Sequence, residues 1–215
     1  MSRFQYFKAE YLFLGNASIS ILLMILADKY ILTDEFYRIS FPAGQEVYLE
    51  NILYYNSLLK FWSYPFLIAF NLFKFFIIGL IIHAGSYLNK QPVKFNVIFR
   101  SIVLAETVFL VAASVKLIVF YNRLPFANFN DWKNYFPLSI TNLMDIEKTN
   151  MLWIYPLGLI NLFELSYLLL LPYFISRISS LSYESALRNV LISYLPSLLL
   201  WALLLTFFSF IAITQ

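Results

Sequence analysis

The sequence predicts an all-α protein, a polytopic bundle of transmembrane helices that forms a single domain over residues 1–215. The 215 residues are 61% hydrophobic and only 13% charged, and the mean hydropathy is +0.73. Long apolar runs also follow one another along the chain. A helix rises about 1.5 Å per residue, so a hydrocarbon layer of about 30 Å needs roughly 20 apolar residues.

Five stretches meet this length, and the connectors between them are too short to hold a second domain. The predicted spans are residues 11–27, 64–88, 98–121, 151–176 and 187–213. Pro156, Pro172 and Pro196 fall inside the last two spans, where a missing backbone donor predicts kinks.

The first outer connector contains a segment, residues 46–62, that mixes acids with apolar and aromatic side chains. Leu49, Ile52 and Leu53 share one helical face, whereas Glu50 lies elsewhere. This pattern predicts an amphipathic helix that lies in the headgroup plane. A cap folded onto the bundle is the alternative interpretation.

The distribution of basic residues predicts the orientation. Seven basic residues lie on the side predicted for the N-terminus, in the N-terminal segment, the connectors or the adjoining first turns of spans: Arg3, Lys8, Lys90, Lys94, Arg100, Arg177 and Arg188. The six on the opposite side are spread over longer loops that carry more acids: Lys29, Arg38, Lys60, Arg123, Lys133 and Lys148. We therefore expect a cytoplasmic N-terminus and a C-terminus on the outer side.

Four charged residues lie in the interior of the predicted spans, away from the first and last turns: Lys74, Glu106, Lys116 and Glu164. Each costs about 2.5–3.5 kcal/mol at the centre of a membrane helix, so they should be paired or hydrated. The helical rise places Lys74 about 15 Å below the outer boundary, with the two glutamates about 20–22 Å below it. Lys116 is only about 8 Å deep and can reach outward to the headgroups.

Two asparagines extend this set, because Asn71 and Asn161 each precede a charged residue by three positions and share its helical face. The sequence therefore predicts a buried polar cluster that joins spans two, three and four: Lys74, Glu106, Glu164, Asn71 and Asn161. Its role stays open between an ion-pair network that determines helix packing, a proton or cation relay, and a polar docking seam for a partner's helix. With two glutamates for one central lysine, we expect one carboxyl to hold a proton.

The sequence lacks the residues that metal binding, catalysis and nucleic-acid binding require. The chain has no cysteine and one histidine, His83, so thiolate and polyhistidine metal sites are not expected. The sequence shows no nucleophile with a histidine partner, no glycine-rich phosphate cradle and no metal-ligand spacing, so we expect no catalytic residues, no metal and no cofactor. The charges are scattered instead of gathered into a basic face, which excludes nucleic acid as an expected partner.

Two sequence runs, VLAETVFL at residues 103–110 and YPLGLINLFELSY at residues 155–167, complete the pattern. Together with five predicted spans and a short basic connector after span two, they resemble the bacterial branch of the Yip family, the Ypt/Rab-interacting membrane proteins. The resemblance implies a non-enzymatic helix bundle that works through partners. It also implies the bacterial inner membrane as the location.

The sequence thus favours a non-catalytic accessory or assembly subunit in contact with the lipid bilayer and with another membrane protein or a second copy of itself. A fifth of the residues are aromatic, and such side chains are enriched at protein interfaces. The alternative is a small transporter or permease component, in which Glu106 and Glu164 handle a proton or a cation.

Overall fold

The computed structural model describes residues 8–41, 44–123, 128–144 and 149–214. Within these ranges the chain is all-helical, with 84% helix and no strand, which confirms the predicted fold class. Four helical segments are long and apolar enough to cross a membrane: Ala9–Tyr30, Glu46–Leu88, Phe95–Arg123 and Tyr183–Ile211. These helices indicate a membrane protein, whereas helix length alone does not confirm the fourth predicted span, residues 151–176.

The first long helix, α1 (Ala9–Tyr30), has 22 residues and a length of about 33 Å, enough for one crossing. The short helix α2 (Asp34–Ser40) follows. Its N-cap residue Thr33 accepts a hydrogen bond from the Phe36 backbone N–H at 3.3 Å. Phe36 is buried in a small cluster with Ile31 and Phe120, which attaches α2 to one end of the bundle.

Helix α3 (Glu46–Leu88) is much longer than predicted. Its 43 residues extend for about 65 Å, twice the hydrocarbon thickness. The segment predicted as a separate in-plane helix, residues 46–62, is instead the first half of α3, and the predicted span is the second half. Pro65 lies between the two halves without ending the helix. The position of the first half in the headgroup plane is not confirmed.

The third predicted span consists of two helices, α4 (Phe95–Ala105) and α5 (Thr107–Arg123), which are interrupted at Glu106. The Phe109 N–H bonds to the Glu106 carbonyl at 2.9 Å, an i to i+3 bond of the 3-10 type. The Thr107 hydroxyl donates to the Leu104 carbonyl at 2.7 Å. The two helices together still form one apolar segment of 29 residues, Phe95–Arg123.

The fourth predicted span is not one continuous helix. After the short helix α6 (Phe129–Asn134) and a 3-10 helix (Ile140–Leu143), the chain forms α7 (Met151–Gly158) and then α8 (Leu162–Ile178). The 17 residues of α8 cover about 25 Å, less than the hydrocarbon thickness. The predicted span over residues 151–176 is therefore divided into two helices, and helix length does not confirm it as a crossing.

The interruption between α7 and α8 has a tertiary cause. Asn161 has extended backbone angles, φ −138° and ψ 162°, and forms an isolated antiparallel bridge with Ser139. The connector also packs closely against the end of α7, since a Cβ added to Gly158 would lie 2.6 Å from the ring of Phe136. The backbone groups freed by the break are thus bonded within the protein, as a membrane environment requires.

The last helix, α9 (Tyr183–Thr214), is continuous through Pro196, as α8 is through Pro172. The largest buried core is formed by the second half of α3 with α4, α8 and α9, and α1 packs beside α4 and α5. Its fully buried members include Ile82, Ile98, Ile102, Tyr167, Leu171, Ile175 and Val190.

Candidate functional site

The centre of the site is an ion pair between two helices. Lys74 on α3 donates from Nζ to Glu106 Oε2 at 2.9 Å, so the structure brings together two of the predicted residues. The Glu106 side chain is only 5% exposed, whereas that of Lys74 is 36% exposed. Because burial of a lone carboxylate is strongly unfavourable, the lysine compensates a charge that the fold holds away from water.

Glu106 occupies the interruption between α4 and α5, which determines where its carboxylate lies. Its Oε2 accepts from Lys74, whereas its Oε1 is buried without a hydrogen-bond partner among the described residues. The Lys74 ammonium also lies over aromatic rings, 4.9 Å from the centroid of Phe109 and 5.9 Å from that of Phe75. These rings give the cation favourable contacts without adding another charge.

Glu164, the second predicted acid, lies in the first turn of α8 and is 8% exposed. Its Oε1 accepts a hydrogen bond from the Tyr194 hydroxyl of α9 at 2.8 Å. It is close enough to Lys74 and Glu106 for their charges to interact. In the described part of the chain, however, Lys74 forms its ion pair with Glu106 and not with Glu164.

The two predicted asparagines have different surroundings. Asn161 is the N-cap of α8: its Oδ1 accepts from the Glu164 N–H at 2.8 Å, and its Nδ2 donates to the Gly158 carbonyl at 2.8 Å. It therefore positions Glu164 through the backbone. Asn71 is half-buried one turn before Lys74, and the described residues offer its side chain no hydrogen bond to the cluster.

Two tyrosines complete the cluster. Tyr167 is fully buried, and its ring centroid lies 5.2 Å from that of Phe109 and 5.4 Å from that of Tyr194. Its hydroxyl has no hydrogen-bond partner among the described residues. Tyr167 shares a helical face with Glu164, which the sequence spacing indicates. Tyr194 was missed, since nothing in an apolar run identifies which tyrosine faces an acid on another helix.

The remaining predicted positions lie outside this cluster. The Lys116 ammonium lies 4.6 Å from the ring centroid of Trp132 on α6, in the connector that the sequence predicts on the outer side. His83 Nδ1 is 2.8 Å from the Val93 carbonyl, and its ring packs against Tyr87 and Phe95. Both contacts fix side chains near helix ends and bring neither residue to Glu106.

The polar cluster therefore contains one ammonium, two carboxyl groups and two phenols: Lys74, Glu106, Glu164, Tyr167 and Tyr194. These groups can pair charges, exchange hydrogen bonds and hold or release a proton. Comparisons with protein-family models, with curated proteins and with solved structures found no match for this chain. The chemistry of the cluster and the surface of the bundle are therefore the basis for a functional proposal.

Proposed function

We propose that this protein is a non-catalytic integral membrane subunit that assists or assembles another membrane protein. The observation that carries the proposal is the first half of α3, which extends beyond the main core and keeps its aromatic side chains exposed. Phe61 is 75% exposed, Trp62 67% and Tyr54 62%. Aromatic side chains are enriched at protein interfaces, and the charged residues Glu50 and Lys60 in the same stretch are not expected against acyl chains.

The polar cluster fits the same function as a structural element. Its carboxyl groups are buried. The ion pair links α3 to the interruption at Glu106, and the Glu164–Tyr194 hydrogen bond links α8 to α9. A network of this kind specifies which helices meet, at the expense of the desolvation of its charges. We assign to Lys74 and Glu106 the role of maintaining the bundle that presents α3.

The proposal includes five crossings, and the fourth of them is α8 with the short helix α7 before it. Two hydrogen bonds support this topology: Asn89 to Asn189 at 3.3 Å and Gln91 to Ser185 at 3.3 Å. They join the end of α3 to the start of α9. Since α4 and α5 leave this side of the membrane, the chain must cross once more before α9 begins.

The same proposal keeps the N-terminus in the cytoplasm of a bacterial cell, with the protein in the inner membrane. The support is the predicted excess of basic residues in the short connectors on the N-terminal side. The resemblance to the Yip family agrees with a function through partners. It supplies a class of protein and leaves the partner to be identified.

Purification in a mild detergent tests the proposal. The wild-type protein should co-purify with a stoichiometric companion or as an oligomer, and the Phe61→Ser/Trp62→Ser variant should lose it. The control is Phe207→Ser/Phe208→Ser on α9, because these adjacent rings are 58% and 61% exposed. A monomeric wild-type protein without a companion would contradict the proposal, as would equal loss in both variants.

A proton relay is the second candidate function. It is favoured by the two buried atoms without hydrogen-bond partners, Glu106 Oε1 and the Tyr167 hydroxyl, which lie in the same cluster as a second carboxyl group. Proteoliposomes with an internal pH dye would test it. A relay requires proton flux in the wild type, loss in Glu164→Gln, and retention in Glu184→Gln, which changes an exposed acid. An active, folded Glu164→Gln together with an unfolded Lys74→Leu would favour the structural role alone.

A further inference from the structure

A surface cavity lies at the other end of α3, away from the aromatic half. It has a volume of about 210 Å³ and opens between the turn that follows α3 and the first turns of α9. The lining residues are Leu88, Asn89, Lys90, Gln91, Ser185 and Arg188. Two apolar membrane-length helices meet here, so the cavity lies where the hydrocarbon layer gives way to headgroups.

The walls of the cavity are held together by specific contacts. Asn89 Nδ2 donates to Asn189 Oδ1 and Gln91 Nε2 donates to Ser185 Oγ, each at 3.3 Å. Gly85 allows α3 and α9 to approach, since a Cβ there would lie 2.6 Å from the Cβ of Ser193. The two walls are therefore fixed relative to each other before any ligand arrives, which lowers the entropy lost on binding.

The charge of the cavity is positive. Lys90 and Arg188 are exposed, and within the described ranges neither forms an ion pair with an acid. The nearest acid along α9 is Glu184, which does not line the cavity and pairs with neither cation in the same ranges. The positive end of the α9 helix dipole adds to the potential at Ser185 and Arg188.

The donors match one kind of ligand group. An ammonium, a guanidinium and neighbouring amide and hydroxyl groups are the donors that bind phosphate oxygens in proteins. The same cavity has an apolar rim, because Leu88 lines it and is 85% exposed. A ligand with a phosphate at one end and hydrocarbon at the other satisfies both parts.

We propose that this cavity binds the phosphate headgroup of an anionic phospholipid, held by Lys90 and Arg188. Basic cavities between membrane helices are known to select anionic headgroups over zwitterionic ones. The site is independent of the accessory function and of the buried polar cluster. It would occupy the leaflet on the side of the Asn89–Lys94 connector.

Native mass spectrometry of the delipidated full-length protein tests the site, with phosphatidylglycerol and phosphatidylcholine of identical acyl chains as probes. We expect the wild type to retain phosphatidylglycerol preferentially. The Lys90→Gln/Arg188→Gln variant should lose about 30-fold in apparent affinity, since each cation near the membrane surface contributes about fivefold. The matched control is Arg123→Gln/Lys133→Gln, which removes two exposed cations elsewhere and should retain the preference.

Lys90→Gly separates binding from folding. Residue 90 has a φ of 55°, a left-handed conformation that glycine adopts without strain, so this variant should fold at least as well while losing about fivefold in lipid affinity. Equal retention of both lipids by the wild type would overturn the proposal, as would an equal loss in the control. Displacement of the lipid by millimolar glycerol phosphate would also overturn it, because the site would then recognise a free phosphate.

Discussion

At the scale of single residues, the Lys74–Glu106 ion pair shows how the bundle accommodates a buried charge. Glu106 is 5% exposed, and the ammonium 2.9 Å from its Oε2 belongs to a lysine on another helix. Spacing and depth along the sequence predicted that Lys74 would reach one of the two glutamates. They could not predict which glutamate pairs with Lys74. That choice depends on the interruption at Glu106 and on the Tyr194 hydroxyl, which donates a hydrogen bond to Glu164.

Removal of the lysine should show how much the Lys74–Glu106 pair contributes to the free energy of unfolding. Lys74→Met leaves Glu106 buried beside no cation and should lower the free energy of unfolding by about 3 kcal/mol. Adding Glu106→Leu should restore most of that loss, since two apolar side chains replace the pair. Unfolding of the four proteins of this double-mutant cycle in a denaturing detergent gives the coupling energy. Strictly additive losses would show that the two charges contribute nothing to each other.

Tyr37 on α2, outside the predicted spans, should make the stability of the protein depend on pH. Burial raises the pKa of its phenol, the negative charge of Asp28 adds to the effect, and a hydrogen bond with Asn56 opposes it. The folded protein therefore keeps the proton at a pH where the unfolded chain releases it. The free energy of unfolding should fall as the pH rises above about 10, the ordinary value for tyrosine.

Tyr37→Phe should make this fall shallower in thermal unfolding measured between pH 9 and 11, values chosen about the ordinary tyrosine pKa. Tyr55→Phe, which removes a hydroxyl from a side chain that is 57% exposed, is the matched control. If the control flattened the profile as much as Tyr37→Phe does, burial of Tyr37 would not be the cause.

At the scale of helices, the interruptions were the features that sequence patterns could not predict. A hydropathy profile averages over many residues, so residues 151–176 read as one apolar run. The break between α7 and α8 depends on a bridge between Asn161 and Ser139, which are far apart along the chain, and on the pressure of Phe136 on Gly158. Neither contact can be recognised from the neighbouring sequence. The start of α8 can, because Asn161 followed three positions later by Glu164 is a typical helix start.

The cap of α8 can be tested directly. Asn161→Ala removes the acceptor of the Glu164 N–H and should destabilise α8 by about 1 kcal/mol. Asn161→Ser keeps a capping oxygen and should retain most of the stability. Hydrogen exchange of the backbone amides in the first turn of α8 measures the difference. Equal protection in the alanine and serine variants would contradict a capping role.

At the scale of the whole molecule, the all-helical architecture and its membrane-length segments follow from composition and apolar runs, and the structure confirms them. The number of crossings is a different kind of property. It depends on whether a helix of 17 residues and a short helix beside it together cross the bilayer. The hydrogen bonds that join the turn after α3 to α9 link regions about a hundred positions apart, so no local pattern contains this information.

The absence of cysteine from the sequence makes the topology easy to measure. Single substitutions Gln91→Cys and Ser185→Cys should react with a membrane-impermeant maleimide from the same side. Ser57→Cys and Asn134→Cys should react from the opposite side. If Gln91→Cys and Ser185→Cys reacted from different sides, α8 would not be a crossing and the bundle would have four.

The length of α3 also affects how the molecule could respond to forces. About 28 Å of helix precede Pro65, and Lys74 lies little more than two turns beyond it. The helix thus has a long part before the proline and a short part between the proline and Lys74. A tilt of about 10° around the proline would move the N-terminal end of α3 through about 5 Å, and would displace the lysine by about half as much. Docking of a partner at the N-terminal end of α3 would thereby strain the Lys74–Glu106 ion pair.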